Sequence, residues 1–242
     1  EFEKALNDEL NFNIEANNCR TFRRLHLERP DVVVPLVYDE HTSESILTLE
    51  FLQGTPFSRL PENVDKKSLA SRTVKEAFDE VFIDGFFHGD PHPGNLLLLD
   101  DGRYGIIDFG LCGRLTPHMR EILIVLLLAV AIEDADTAAR TLYRLGQGEA
   151  RVDISVLRDD ISGLFEKWLG RSIQDVDSTV LMQELLLLAF KHRIRVPPEF
   201  TLLARAGGTI EGQVRAFDPE IDLAKAAAPY AEKLLLDRVG PD

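Results

Sequence analysis

Beyond residue 115 the apolar side chains return every three or four positions, the spacing of helices that bury one face. Thr116 as N-cap and Pro117 at the first helical position predict a helix over 117–132. Its run "ILIVLLLAVAI" (122–132) is apolar on every side and reads as buried. Ile154, Leu157, Ile161, Leu164, Phe165 and Trp168 form one amphipathic stripe. Further helices are expected near 178–193, 199–216 and 222–237, the last kinked by Pro229.

The first half follows other rules. Residues 3–28 predict a helix that ends before Pro30. "VVVPLVYDE" (32–40) and "SILTLEFL" (45–52) predict two strands joined by the polar turn "HTSE". "QGTPFSRLPENVD" (53–65), with Gly54, Pro56 and Pro61, predicts a hinge loop. Val74, Phe78, Val81, Phe82 and Phe86 resume helical spacing, and Leu96–Leu99 and Tyr104–Ile107 are short apolar strands around "DDGR", whose Asp-Gly pair suits a tight hairpin. The expected fold class is α+β, with a partial small lobe and hinge over 1–54 and a mainly helical large lobe over 55–242 that carries the hairpin.

Composition narrows the function classes. With 45% hydrophobic residues the 242-residue chain can bury a core, and its net charge of −14 sets aside nucleic acid and anionic membrane surfaces as broad electrostatic partners. Cys19 and Cys112 lie far apart and match no CxxC spacing, so a reducing compartment is the default. The longest apolar run, eleven residues, is too short to cross a bilayer. The expected location is cytoplasmic, with peripheral membrane contact through a C-terminal amphipathic helix as its variant. The chain opens "EFEKALNDEL", without an initiator Met or a signal peptide, and is expected to be cut from a longer protein.

The densest chemistry lies in "FFHGDPHPGNLLLLDDGRYGIIDFG" (86–110). Antiparallel pairing of the hairpin brings its outer ends, Asn95 and Asp108, to about 5 Å, one strand spacing. One neutral and one anionic oxygen donor suit Mg²⁺, which takes few protein ligands and fills the rest with phosphate and water. Asp90, held extended by Pro91, adds a carboxylate able to accept a proton. Singly, Asp and Asn in turns are ordinarily turn-formers. Jointly, D-x₄-N, an apolar hairpin and D-F-G stand in the order of kinase-type sites. His88 and His92 have the four-residue spacing of a zinc pair, but Pro91 between them argues against a helical face, and they are expected to hold the loop by hydrogen bonds.

These segments resemble the UbiB-type atypical kinases tied to isoprenoid quinone (ubiquinone) biosynthesis. "FFHGDPHPGNLLLL" with "GIIDFGLCGRL" is similar to the family's core, "ELNFNIEANNCRTFRR" to its small-lobe helix, "LTLEFLQGTPF" to its hinge and "VPPEFTLLARAGGTIEG" to its C-terminal block. The resemblance implies a protein-kinase-like fold binding Mg-ATP. It makes Asp90 the catalytic aspartate, Asn95 and Asp108 the metal ligands, and Phe109 and Gly110 the rest of the DFG element. Glu15 becomes the helix glutamate that pairs with a strand lysine, and Glu50 to Gly54 border the adenine. Lipid or quinone-biosynthesis proteins are the implied further partners.

Three departures qualify that picture. The family's Glu-x-Asp motif stands here as Glu9-Leu10-Asn11, an amide for a carboxylate. The Lys-x-Gly-Gln element is absent, and "RLGQ" (144–147) reads as a helix end with a Gly C-cap. Only Lys4 precedes Glu15, so no nucleotide-covering loop or strand lysine is present. The parent is therefore expected to be an ATP-dependent phosphotransferase or ATPase and this chain to be impaired alone. Two rivals remain: a small-molecule phosphotransferase of the aminoglycoside or choline kinase type, which also uses "HGD"-like segments, and a non-catalytic scaffold or lipid-binding pseudokinase.

Overall fold

The structure, a computed structural model, describes residues 11–146, 152–168 and 178–239. By internal contacts the chain divides into two units, residues 1–65 with 88–112, and residues 66–87 with 113–242. The hairpin thus groups with the N-terminal segment.

The first unit opens with α1 (Phe12–Leu25). Asn11 is its N-cap: its backbone is extended (φ −103°, ψ 96°) and its side chain accepts from Asn13 N at 3.0 Å. The helix expected over 3–28 therefore starts only at residue 12 within the described residues; positions 3–10, with Lys4, Glu9 and Leu10, lie outside them. Asn and Asp cap equally well, so the amide at position 11 has a structural use here.

A four-stranded sheet follows in the order β1-β5-β4-β2, with β1 Val32–Val33, β2 Gly54–Pro56, β4 Leu96–Leu99 and β5 Tyr104–Ile106. β1 runs parallel to β5, and the β4 pairings with β5 and β2 are antiparallel. The two long strands expected at 32–40 and 45–52 are largely absent as strands. Residues 36–50 form a looser antiparallel ribbon, with Glu50 N donating to Leu36 O (2.8 Å) and Tyr38 N to Thr48 O (2.9 Å). Pro35 has no N–H to offer a ladder, and Asp39–His41 coil into a 3₁₀ turn. The expected hinge loop instead supplies β2. Its position at the sheet edge tolerates Pro56, and Gly54 lies so close to β4 that a Cβ there would stand 2.6 Å from Leu98 O.

The second unit is helical, except for its share of β3 (Phe86–His88) and β6 (Cys112–Arg114), which pair as a separate two-stranded sheet. α2 (Lys66–Phe78) runs into a π-helical segment, Asp79–Asp84, that ends at Gly85 with φ 63°. Phe86, expected on the helix, therefore lies in a strand. Arg120 Nη1 donates to the carbonyls of Phe82 (2.9 Å) and Ile83 (2.8 Å), which lie in the last turn of the segment and have no intrahelical partner.

α3 (Pro117–Ala131), α4 (Ala135–Leu145), α5 (Ile154–Trp168), α6 (Ser178–Lys191), α7 (Pro198–Phe217) and α8 (Leu223–Val239) complete the unit. Thr116 caps α3 by accepting from Met119 N, with Pro117 in its first turn. Gly146 caps α4, as expected for the "RLGQ" segment, whose Gln147 lies outside the described residues. α3 packs on α4, α4 on α5 and α6 on α7, around Ile122, Leu123, Leu142, Leu157 and Ile161. Pro229 lies inside α8, where Tyr230 rests against Phe78 and Phe82 and donates its hydroxyl to Asp79 (2.6 Å).

The edge pairing of β2 makes a prediction. Gly54→Ala forces a methyl into the β4 backbone and should cost about 1–3 kcal/mol in a denaturant melt. Gly163→Ala on α5, where a Cβ meets no atom within 4 Å, should instead gain about 0.5–1 kcal/mol. Equal effects of the two substitutions would contradict the close approach of β2 to β4.

Candidate active site at the hairpin end

The register of β4 and β5 pairs Leu96 with Ile106, Leu97 with Gly105 and Leu98 with Tyr104. Ile107 N donates to Asn95 O (3.0 Å), which extends the ladder to the hairpin end. Asn95 and Asp108 consequently stand together, with Asn95 Nδ2 3.3 Å from Asp108 Oδ2. The same amide group reaches Asp90 O at 3.4 Å, so one side chain joins the Asp90 loop to Asp108.

The loop between β3 and β4 is shaped by its own histidines. His88 Nδ1 accepts from Asp90 N (3.1 Å) and His92 Nδ1 from Gly94 N (3.1 Å). His92 N donates to Asp90 O (2.7 Å), and Asn95 N to His92 O (2.8 Å). The two rings thus organise the loop's backbone. Burial pushes the His88 pKa down, against the opposing pull of Asp108 and Asp90. A neutral ring is what an accepting Nδ1 requires.

Helix α1 brings the remaining groups. Glu15 Oε1 accepts from Phe109 N (3.2 Å). Burial raises the Glu15 pKa, the bond from Phe109 lowers it, and the Asp108 charge raises it further. Among the described residues no lysine or arginine forms an ion pair with Glu15 or Asp108. The Phe109 ring is fully buried, 5.2 Å from the Phe22 ring and 6.2 Å from His88 by centroids. Gly110 N donates to Asp108 Oδ1 (2.9 Å).

Of the residues singled out in the sequence, Asp90, Asn95, Asp108, Phe109, Gly110 and Glu15 are brought together by these bonds. Glu50 and Gly54 are engaged elsewhere. Glu50 Oε2 accepts from Leu36 N (3.0 Å) and lies 3.9 Å from Arg23, and Gly54 pairs with Leu99. Asn18 was passed over in the sequence. Its Nδ2 donates to Phe109 O at 2.9 Å. The available signal was its place three residues after Glu15, on the same helix face.

The ABC1 atypical kinase-like domain matches residues 1–142, and the UbiB helical domain matches residues 161–222. The chain belongs to the ABC1/UbiB atypical kinase-like family. The Synechocystis protein slr0889 is 33% identical over 226 residues, covering 88% of this chain and 55% of that protein. The Arabidopsis thaliana protein ACTIVITY OF BC1 COMPLEX KINASE 3, chloroplastic, is 28% identical over 245 residues, covering 100% of this chain and 34% of its own length. The chain therefore spans about half of the first relative and a third of the second. The solved complex of Rv3197 with erythromycin from Mycobacterium tuberculosis shares the fold at a TM-score of 0.57 and 23% identity, over 87% of this chain and 55% of that one. Among the described residues no helix is long and apolar enough to cross a membrane.

The two cysteines bracket this site and should differ in reactivity. Cys19 is fully buried, its Sγ directed at Pro35 O, and burial with the nearby Glu15 charge pushes its pKa up to about 12. Cys112 is partly exposed. Thiol reagents at neutral pH should label Cys112 in the native protein and both residues after denaturation, as read by mass spectrometry. Faster native labelling of Cys19 would contradict the packing of α1.

Proposed function

We propose that this chain carries a Mg-ATP site and that its parent is an atypical kinase or ATPase acting as an accessory factor in isoprenoid quinone biosynthesis. The observation that carries the reading is the junction of Asn95, Asp108 and the Asp90 loop through one amide group at the hairpin end. The donor set fits a hard cation: an amide and a carboxylate side by side, with a second carboxylate, Glu15, bonded to the N–H of Phe109, the residue after Asp108. Magnesium held by Asn95 and Asp108 would supply positive charge against the phosphate oxygens.

Each protein group then has a separate task. Gly110 N and Asn95 Nδ2 orient the two oxygens of Asp108. Asp90 takes the proton of the acceptor hydroxyl, or of water in an ATPase, as that oxygen bonds to the γ-phosphorus and the bond to the ADP oxygen breaks. Phe109, packed against Phe22 and His88, holds the DFG backbone beneath these groups. The link to quinone metabolism rests on family membership and on the name of the Arabidopsis relative, which ties a kinase to the activity of a bc1 complex.

Thermal unfolding with and without Mg-ATP tests the site. At 100-fold excess over Kd, nucleotide should add roughly 2.7 kcal/mol of stability. The shift should need magnesium and vanish in Asp108→Asn. An unchanged melting temperature for the wild-type chain at millimolar Mg-ATP would refute the reading.

A further inference from the structure

Both polar groups of Phe109 are held by helix α1. Its N–H donates to Glu15 Oε1 (3.2 Å) and its carbonyl accepts from Asn18 Nδ2 (2.9 Å). Asn18 lies three positions after Glu15, so both project from one face. Phe22, one turn further along, places its ring 5.2 Å from that of Phe109.

The carbonyl that Asn18 holds belongs to the same peptide unit as the Gly110 N–H. That N–H donates to Asp108 Oδ1 at 2.9 Å. A trans peptide is planar, with C=O and N–H pointing in opposite directions. Fixing the oxygen with Asn18 therefore aims the N–H at Asp108, and rotation of the plane breaks both bonds together. The Cys112 thiol also reaches Phe109 O at 3.4 Å, but a thiol is the weaker donor.

We propose that Asn18 is a positioning residue which sets the orientation of the Asp108 carboxylate through the Phe109–Gly110 peptide. It bonds the Phe109 carbonyl, not Asp108 itself. Its amide turns the position of α1 into the angle at which Asp108 presents its oxygens. The orientation exists without ligand; its consequence for Mg-ATP rests on the function proposed above.

The test compares Asn18→Asp with Asn17→Ala in the 242-residue chain. The first variant keeps the side-chain shape and removes the donor. The second changes the neighbouring, exposed Asn, whose side-chain oxygen accepts from Arg20 on the same helix. Hydrogen exchange of the Gly110 amide, read by NMR without ligand, should quicken about tenfold in Asn18→Asp and stay unchanged in Asn17→Ala. Asn18→Gln, which restores a donor, should recover part of the protection. The Mg-ATP melting shift should shrink in Asn18→Asp and persist in Asn17→Ala.

Should Asn18→Asp fail to fold, Asn18→Ala carries the same comparison. Wild-type exchange at Gly110 in both donor-less variants overturns the proposal. Faster Gly110 exchange in a chain whose wild type shows no Mg-ATP shift upholds the positioning role and refutes the Mg-ATP reading instead.

Discussion

Antiparallel pairing of Leu96 with Ile106 and Leu97 with Gly105 decides where both ends of the hairpin go, and the candidate site follows from that register. A slip of one residue would send Asp108 to the opposite face of the sheet and part it from Asn95. The register is held from several sides. At the turn, Gly102 takes φ 84° and the Asp101 carboxylate accepts from Arg103 N and Nε, which keeps the carboxyl below its usual pKa range. Laterally, β2 pairs with β4 and β1 with β5, so neither hairpin strand is a sheet edge.

Helix α1 supplies the second constraint. Its inward face carries Ala16, Cys19 and Phe22, all fully buried, beside the half-buried Glu15 and Asn18. Apolar packing sets the helix in place, and the two polar groups then meet the Phe109 backbone. A single amide-to-carbonyl bond is worth only about 1 kcal/mol to stability. Its effect on geometry is larger, because the peptide it holds also presents an N–H to Asp108. Burial raises the cost of ionising Glu15 and the nearby Asp108 charge adds to it, and among the described residues no Lys or Arg pairs with either carboxylate. In the function proposed above, magnesium would supply the missing positive charge.

The second unit shows the same use of polar groups to finish what apolar packing begins. Its helices bury aliphatic side chains around α3, whose run from Ile122 to Ala129 has apolar neighbours on nearly every side. Where α2 widens into a π-helical segment, Arg120 satisfies two carbonyls, and Asp79 accepts from both Lys75 and Tyr230. Burying such groups without partners would cost more than the bonds themselves contribute.

What the sequence determined alone is what short-range chemistry determines. Thr116 and Pro117 start α3, Gly146 ends α4, and "DDGR" closes the hairpin, because each device acts within four residues of chain. The order of Asp90, Asn95 and Asp108 was legible for the same reason, since a hairpin converts spacing into proximity. The tertiary structure decided what depends on distant partners. Gly54–Pro56 look like a loop and become a strand because Leu97–Leu99 offer them an edge. Phe86 keeps helical spacing and lies in a strand because the π-helical segment and Gly85 end the helix first. Asn18 looks like any polar helix residue, and its partner lies 91 positions along the chain. Local pattern carries no information about which backbone group will arrive opposite a side chain; only the packing of α1 against the hairpin end supplies it.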